Sequence, residues 1–343
     1  MSTARINTSE LLSPSQLAEV RKRSNLRGIW LVLHAWGVIF GSMALFVWMP
    51  NPLTFLLAVM LIGARQLGLA ILMHDGAHGN LTENPKLNMF LSQWLCAYPM
   101  GAETMAYRRY HLQHHMNTQQ ENDPDLILSA PFPITKKSFR RKMIRDLTGQ
   151  TGYQQRKSQI MNALALGKQG KGMSAKERAL HYWNKLGRAT LAQAILFAIL
   201  AASGHWYLYF ALWVLPLLTW HMAITRVRNI AEHAMVPDND DPFRQARTTL
   251  AGPLARAFIA PYWVNYHVEH HLLMWVPCYN LPKTRAYLIA NGYGEKMESK
   301  KNYLDVLRMA TSRPDDEDGP GKLVHNARRR VAGTFDEGFS SAN

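Results

Sequence analysis

The sequence predicts an all-α integral membrane protein with four transmembrane helices in two hairpins and a cytoplasmic helical cap. Three observations lead to this fold class: four apolar stretches approach the length needed to cross a bilayer, short turns join them in pairs, and basic residues flank one side only. The chain has 343 residues, of which 48% are hydrophobic and 18% charged, so an intrinsically disordered protein is excluded. Its two cysteines are too few for a four-cysteine zinc site, an iron–sulfur cluster or a disulfide-stapled fold.

The predicted spans occupy residues 28–48, 53–73, 188–203 and 206–225. A helix of about 20 residues crosses the roughly 30 Å hydrocarbon core of a bilayer, and every span except the third reaches that length. The turn signal Met49-Pro50-Asn51-Pro52 joins the first pair, and Gly204-His205 joins the second. Because the third span is short, we expect Arg188 to lie at its interface and to extend toward the headgroups.

The distribution of basic residues predicts the orientation. Neither turn contains Lys or Arg, whereas the first span is preceded and the fourth is followed by Arg21, Lys22, Arg23, Arg27, Arg226 and Arg228. By the positive-inside rule, both termini and the segment between the hairpins are cytoplasmic. The first residues are polar, lack a cleavable signal and carry the capping pattern Ser13-Pro14-Ser15-Gln16 before a short amphipathic helix. We therefore expect a multi-pass protein of a bacterial inner membrane.

Three regions follow from this topology. Residues 1–27 form a cytoplasmic N-terminal segment, residues 28–290 form the membrane domain, and residues 291–343 form a cytoplasmic C-terminal helix and tail. The cap comprises residues 74–187 and 226–290, and Leu87–Met100 is predicted as an interfacial helix too short to cross. Basic residues dominate 136–188, which indicates attraction to anionic lipid or docking of an acidic electron carrier. No nucleic-acid recognition motif accompanies this charge, so nucleic acid is not an expected partner.

Histidines carry the chemical signal. His74 and His78 lie four residues apart in HDGAH, where the second span leaves the membrane, and helical spacing places both rings on one face. The patterns HLQHH and HVEHH each place three histidines on one stripe: His111, His114 and His115, then His267, His270 and His271. A fourth element, NIAEH, adds Asn229 and His233 shortly after the fourth span. Nine histidines are thereby predicted to converge on one membrane face.

Nine imidazoles are too many for one metal ion. Zinc takes three or four protein ligands, so nine indicate two centres with four or five nitrogens each and an open position. Imidazole suits zinc, copper, iron and nickel, and the ligand type alone does not choose among them. A zinc protease would need HExxH, but Asp75 follows His74, and a soluble di-iron bundle would need paired Glu-x-x-His motifs, which the chain lacks.

At these residues the chain resembles the membrane fatty acid desaturase superfamily, over roughly residues 28–290. The resemblance rests on HDGAH, on HLQHH followed by Asn122-Asp123-Pro124-Asp125, on NIAEH and on NYHVEHH. It implies four spanning helices beneath a cytoplasmic cap that holds two irons in an all-nitrogen shell. It further implies that the eight box histidines and His233 are iron ligands, and that Asn229 holds one iron through water. Oxygen is then a co-substrate.

The number of residues between the histidines of each box distinguishes among members of this superfamily. The three-residue gap in the first box is similar to acyl-lipid desaturases rather than to acyl-CoA delta-9 enzymes. The two-residue gap in HLQHH is unlike the longer box of alkane hydroxylases. The chain departs from the family after the third box, where Leu273 and Met274 replace a frequent Phe-Pro.

Residues around the proposed ligands are candidates for supporting roles. Asp75, Glu232 and Glu269 each adjoin a proposed ligand and are candidates to accept an N–H from a histidine of another element, the alternative being solvated charges. Asp123 and Asp125 equally suit a turn around Pro124. The candidate walls of an apolar substrate tunnel are Trp94, Tyr98, Trp263 and Tyr266. His34 is expected to pack against a neighbouring helix, and His221 is excluded as a ligand.

These features predict an O2-dependent acyl-lipid desaturase. Removal of hydrogen from an unactivated methylene needs an oxidant stronger than any side chain, so a metal must activate O2. No flavin or nicotinamide fingerprint is present, which implies a ferredoxin or b-type cytochrome as electron donor, beside an acyl-chain substrate and membrane lipid as partners. Two alternatives remain: a hydroxylase or ketolase acting on lipid or carotenoid, and a metal transporter or store.

Overall fold

Helices form most of the chain in the computed structural model, which describes residues 6–167 and 170–314. The α-helices in chain order are α1 Thr8–Leu11, α2 Pro14–Val20, α3 Asn25–Trp48, α4 Pro52–Ala77, α5 Pro85–Phe90, α6 Thr104–Asn117, α7 Leu126–Ser129, α8 Lys136–Leu147, α9 Gln150–Ala163, α10 Ala175–Tyr182, α11 Arg188–Ala202, α12 Leu215–Leu218, α13 Trp220–His233, α14 Pro253–Phe258, α15 His267–Leu272, α16 Leu281–Ala290 and α17 Tyr303–Ala310. Within the described residues, π-helical segments lie at Leu91–Ala97, Trp183–Gly187 and Tyr209–Val214, and short 3-10 helices lie at Tyr98–Met100, Pro261–Trp263 and Cys278–Asn280.

Two strands join distant parts of the chain. The strands β1 Thr248–Thr249 and β2 Ser299–Lys300 pair in parallel, with Thr248 opposite Ser299. Our all-α prediction did not include them, because a two-residue strand is too short to show an alternating pattern. The pair ties the segment before α15 to the segment before α17.

Among residues 6–167 and 170–314, four helices are long and apolar enough to span a membrane: Asn25–Trp48, Pro52–Ala77, Ala175–Ala202 and Tyr209–His233. The third is longer than predicted, because the π-helical turn Trp183–Gly187 joins α10 to α11 without a break. Arg188 therefore lies inside a 28-residue helix rather than at its start. The fourth continues to His233, with an irregular backbone at Thr219, so NIAEH belongs to the same helical stretch as the span.

The two halves of α4 face different surroundings. In its first half Leu53 and Leu56 are 74% and 57% exposed. From Ile62 to Ala77 nearly every residue is buried. A Cβ at Gly68 would lie 2.5 Å from the Tyr262 ring, and one at Gly76 would lie 2.2 Å from Ser92 Cβ. Only glycine therefore allows this close packing, which places the end of α4 inside the protein and carries His74 with it.

Caps and ion pairs fix the helices that carry the histidines. Glu103 accepts the backbone N–H of Met105 at the start of α6, which begins seven residues before His111. Arg226 of α13 forms a two-pronged ion pair with the buried Asp146 of α8.

The predicted capping box at Ser13 and Gln16 is present at the start of α2. Of the predicted C-terminal segment, α17 is seen, and the acidic run 315–318 and the basic run 328–330 lie outside the described residues.

Arg247 closes the end of α13. Its guanidinium donates to the carbonyls of Ala234 and Met235 at 2.8 and 2.9 Å and to Glu298 Oε1 at 2.9 Å. Because the Arg247 side chain is fully buried and that of Glu298 is only 15% exposed, Arg247→Gln leaves the Glu298 carboxylate with only the more distant Lys300, and we expect unfolding to become easier by about 3–5 kcal/mol.

Thermal unfolding in detergent measures this loss. Lys300→Gln is the matched control, because Lys300 Nζ lies 3.7 Å from the same Glu298 carboxylate but its side chain is 36% exposed. An exposed pair of this kind contributes about 0–1 kcal/mol. Equal melting temperatures for the two variants would show that Arg247 does not anchor α13.

Candidate metal centre

The nine predicted histidines lie together in two groups. In each group the candidate ligand atoms all lie within 4.8 Å of one another. The first group has five members, His74, His78, His111, His115 and His270, and the second has four, His114, His233, His267 and His271. The first draws on α4, α6 and α15, and the second on α6, α13 and α15.

Ring nitrogens in the first group converge. His111 Nε2 lies 2.8 Å from His74 Nε2 and 2.9 Å from His115 Nε2. His115 Nε2 lies 3.0 Å from His270 Nε2. His78 closes the group, with its ring centre 5.0 Å from those of His111 and His270. The five rings surround one point from three helices that are distant in sequence.

Ring nitrogens also converge in the second group. His267 Nε2 lies 2.7 Å from His233 Nε2 and 3.1 Å from His271 Nε2. The ring of His114 is 4.8 Å from that of His233 and 5.1 Å from that of His271, measured between ring centres. These four rings come from three helices.

Each H-x-x-H-H box divides between the two groups. The outer pair at i, i+4 in α6 serves the first group, while the middle His114 serves the second. In α15 the outer pair serves the second group and the middle His270 serves the first. This follows from helix geometry, since i and i+4 share a face while i+3 lies on the other side of residue i. We expected the three histidines of each box to act as one set. In the structure each box instead contributes histidines to both groups.

The donor set fits a metal ion. Two imidazoles bound at right angles to one metal, each about 2.1 Å away, place their nitrogens about 3.0 Å apart, close to the observed contacts. His78 Nε2 is buried and has no hydrogen-bond partner among the described residues. Burial lowers the pKa of His78 to about 3 and holds the pKa values of His111, His115 and His270 well below the usual value. Neutral imidazole is the form that binds metals.

Hydrogen bonds on the outer nitrogens orient the second group. His114 Nδ1–H donates to Asp123 Oδ1 at 2.7 Å, because a carboxylate can only accept. His233 Nδ1–H points to the Gln245 carbonyl at 3.4 Å. With Nδ1 protonated, the Nε2 lone pair of each ring faces the group. Burial opposes the charged form of His114, but the Asp123 carboxylate outweighs it and raises the pKa to about 9, so a metal ion that binds there would displace the Nε2 proton.

Two of the three carboxylates predicted to support the ligands have partners other than histidine. Asp75 accepts the backbone N–H of Cys278 at 3.1 Å. Glu269 pairs with Arg285 and accepts the Thr248 hydroxyl. Both side chains leave the ligand face of their helix, as predicted, but they meet partners other than histidine. Glu232 pairs with Arg228 at 2.6 Å, and its other oxygen lies 3.6 Å from His267 Nε2, a nitrogen that faces the group.

Asp123, which by sequence equally suits a turn around Pro124, has two roles in the structure. It forms that turn, accepting the backbone N–H groups of Gln119 and Asp125, and it also binds His114. Asp125 accepts a hydrogen bond from the Tyr110 hydroxyl. The signal was present in the sequence as Asn122-Asp123-Pro124-Asp125, which follows HLQHH within one short loop.

Asn229 lies on the wall of a small cavity beside the second group. The cavity has a volume of about 50 Å³ and is also lined by His114, His233 and His267. A water molecule needs roughly 10–15 Å³ of such space and two to four polar partners, so the cavity is large enough for water between Asn229 and the histidines. The water-mediated role predicted for Asn229 is compatible with this placement.

The four aromatic residues predicted to form one tunnel are separated. Tyr98 lines a cavity of about 490 Å³, and Trp263 lines a different cavity of about 410 Å³. Trp94 packs edge-on against Tyr98, with ring centres 4.9 Å apart, and Tyr266 packs on the hydrophobic core. Tyr98 and Trp263 thus border different cavities, and neither Trp94 nor Tyr266 is among the lining residues of these two cavities.

The remaining membrane histidines lie outside both groups. His34 Nδ1 contacts the Tyr262 hydroxyl at 3.0 Å, which agrees with the expected packing role. His221 is buried, and its Nδ1 has no hydrogen-bond partner among the described residues.

Four candidate membrane spans and two all-histidine clusters define this chain as a multi-pass membrane protein with a candidate metal centre. A family model described as fatty acid desaturase matches residues 47–298, which include every histidine of both groups. The chain belongs to the fatty acid desaturase family, as the histidine boxes predicted.

Two curated relatives indicate the range of chemistry in similar proteins. The chain is 27% identical over 237 residues to a dihydrorhizobitoxine desaturase from Bradyrhizobium elkanii, an alignment that covers 67% of this chain and 66% of that protein. It is 23% identical over 260 residues to a beta-carotene ketolase from Paracoccus sp. (strain PC1), covering 75% of this chain and 87% of that protein. One of these similar proteins is thus named a desaturase and the other a ketolase.

Proposed function

We propose that this chain is an O2-dependent membrane desaturase that introduces a C=C bond into the acyl chain of a lipid. The observation that carries the proposal is the pair of histidine groups, five nitrogens beside four, in a member of the desaturase family. In this proposal the nine histidines hold two irons, and Asn229 acts on one of them through water.

The proposed topology places the four spans in two hairpins, with the histidine-bearing cap and both termini in the cytoplasm of a bacterial cell. Residues 1–27, 28–290 and 291–343 then form the N-terminal segment, the membrane domain and the C-terminal segment. The absence of Lys and Arg from both hairpin turns supports this orientation.

The bound irons would supply the O2-derived oxidant that an unactivated methylene requires. The chain's own residues hold and orient the centre: Asp123 and the Gln245 carbonyl fix two imidazole tautomers, and five of the nine histidines are buried. Overall, two hydrogens leave adjacent carbons, and O2 is reduced to two waters with two protons and two electrons from outside.

An acidic ferredoxin or b-type cytochrome is the proposed electron donor. The surface of α8 supports this partner, since Lys136, Arg140 and Arg145 are exposed there. Oppositely charged surfaces raise association rates, and salt weakens that attraction.

The cavity that Tyr98 lines is the proposed substrate pocket. Its volume of about 490 Å³ falls within the usual range for ligand sites. Tyr107 lines this cavity and stacks on His111, with ring centres 5.2 Å apart, so the cavity lies one side chain from the first group. The rest of its lining includes small apolar residues together with Arg156 and Arg188. This mixture suits a molecule that has both an apolar chain and a polar headgroup.

Filling this pocket tests its role. Ala189 is buried and lines the cavity, so Ala189→Phe should lower product formation at least about tenfold by excluding substrate, with iron content unchanged. Turnover of lipid in membranes and iron per polypeptide are the two measurements. Ala194→Phe, an exposed position on the same helix, is the matched control. Equal activity in both variants would exclude the cavity as the substrate pocket.

Hydroxylation or ketolation of a lipid or carotenoid is the second candidate, because a beta-carotene ketolase is among the similar proteins. Mass spectrometry of lipids from a host that expresses the chain separates the two. A product lighter by two hydrogens supports desaturation, and a product that gains oxygen supports the alternative. Both products should disappear without O2 and in a His270→Ala variant. A lipid profile that is the same with the wild type and with His270→Ala would contradict both candidates.

A further inference from the structure

A second large cavity opens between α3, α4 and the segment that includes α14. It has a volume of about 410 Å³, and its charged or polar lining residues are His34, Arg65, Arg256 and Tyr262. No residue of either histidine group lines it, so it is separate from the candidate metal centre. We call it the lateral crevice.

Arg65 supplies a buried positive charge to the lateral crevice. Its side chain is only 6% exposed, yet no carboxylate among residues 6–167 and 170–314 forms an ion pair with it. One terminal nitrogen donates to the carbonyls of Arg256 and Ala257, and Nε has no partner among the same residues. A buried guanidinium is costly without a counter-charge, so the site has capacity for an anion.

A second arginine faces the same space. The Arg256 side chain is exposed and lies over the Trp263 ring, 5.3 Å from its centre. Arg65 lies over the Tyr262 ring at the same distance, so two aromatic residues hold the two guanidinium groups. Guanidinium groups bind phosphate through paired hydrogen bonds and prefer it to smaller monovalent anions.

Aromatic and apolar residues around the lateral crevice are typical of a membrane interface. Arg65 stands where the exposed half of α4 gives way to its buried half. Trp30, which is 64% exposed, lines the crevice together with Trp263, and tryptophan is typical of the membrane interface. Leu33 and Leu254 beside it are also exposed, which leaves apolar surface for acyl chains.

We propose that the lateral crevice binds the phosphate of an anionic phospholipid, with Arg65 and Arg256 as the recognising residues. Basic pockets between membrane helices bind lipid headgroups in this way. The occupant would also brace Tyr262 and Trp263, whose backbones have φ values of 51° and 58°, just before the third histidine box. The lipid is thus a structural partner and distinct from the acyl substrate.

The test is retention of defined lipids by the purified full-length chain. Delipidated protein is titrated with phosphatidylglycerol or phosphatidylcholine in detergent, and bound lipid is counted by native mass spectrometry. We expect phosphatidylglycerol to bind preferentially, and Arg256→Gln and Arg65→Lys to weaken its binding about tenfold each, because each removes part of a charge-assisted contact. Arg256 is exposed, so its variant remains informative even if Arg65→Lys fails to fold.

Lys86→Gln is the control, because Lys86 is an exposed cation of α5 outside the crevice. Its phosphatidylglycerol affinity should equal that of the wild type. Equal retention of phosphatidylcholine, or equal affinities in wild type and Arg256→Gln, would overturn the proposal. Displacement of phosphatidylglycerol by millimolar inorganic phosphate would assign the site to free phosphate and would likewise overturn the lipid assignment.

Discussion

Replacing His115 with alanine is expected to abolish product formation and to remove iron from the protein. His115 lies at the centre of the first group, with its Nε2 2.9 Å from that of His111 and 3.0 Å from that of His270. Alanine removes one of the five candidate ligands of this group. Since the uncatalysed reaction is negligible, activity should fall at least about a thousandfold. Iron analysis should give two ions per wild-type chain and at most one in the variant.

His221→Ala is the matched control for this experiment. His221 is also buried, at 9% exposed, but belongs to neither group. It should retain both irons and most of the activity, although some stability is lost with a buried ring. Two irons and full turnover in His115→Ala would contradict the assignment of the first group.

Replacing Asp123 with asparagine should weaken iron binding by about 10–100-fold without preventing folding. The carboxylate accepts the His114 Nδ1–H at 2.7 Å, and the charge makes the imidazole a better donor to the metal. Asparagine keeps one acceptor oxygen but loses the charge. Competition with a chelator measures the change in iron affinity, and a melting curve reports any loss of stability separately.

Replacing Asp75 with asparagine tests whether iron affinity depends on a hydrogen bond to a histidine ring or only on a carboxylate that adjoins a ligand in the sequence. Asp75 is as buried as Asp123 and directly follows His74, but it accepts a backbone N–H from Cys278 rather than a histidine ring. Asparagine can still accept that bond, so Asp75→Asn should keep its iron affinity. A larger loss at Asp75 than at Asp123 would contradict the hydrogen-bond assignments.

The spans and the histidine-bearing helices are predictable because their signals are local. Apolar runs identify the four candidate spans, and i, i+4 spacing identifies the faces of α6 and α15. These patterns lie within single helices, so no knowledge of the tertiary fold is needed. The length of the third helix was underestimated because Lys185 and its polar neighbours interrupt the apolar run, although the backbone stays helical through a π-turn.

Local patterns could not predict which histidine belongs to which group or which carboxylate bonds to a histidine. Whether His114 joins His111 or His233 depends on where α13 lies relative to α6, a long-range packing outcome. Likewise, Asp75 and Asp123 differ in their partners only because the loop before α7 folds back on His114, while Cys278 approaches Asp75. Sequence adjacency to a ligand therefore did not indicate which carboxylate supports it.

The double use of each box has a thermodynamic consequence. Histidines of α6 and of α15 belong to both groups. An orientation of these two helices that places the ligands of one ion therefore also places the ligands of the other ion. The first ion to bind would bear the entropic cost of fixing both helices, and the second would bind to a scaffold already ordered. Loading should therefore be cooperative, so that empty and fully loaded chains outnumber chains with a single ion.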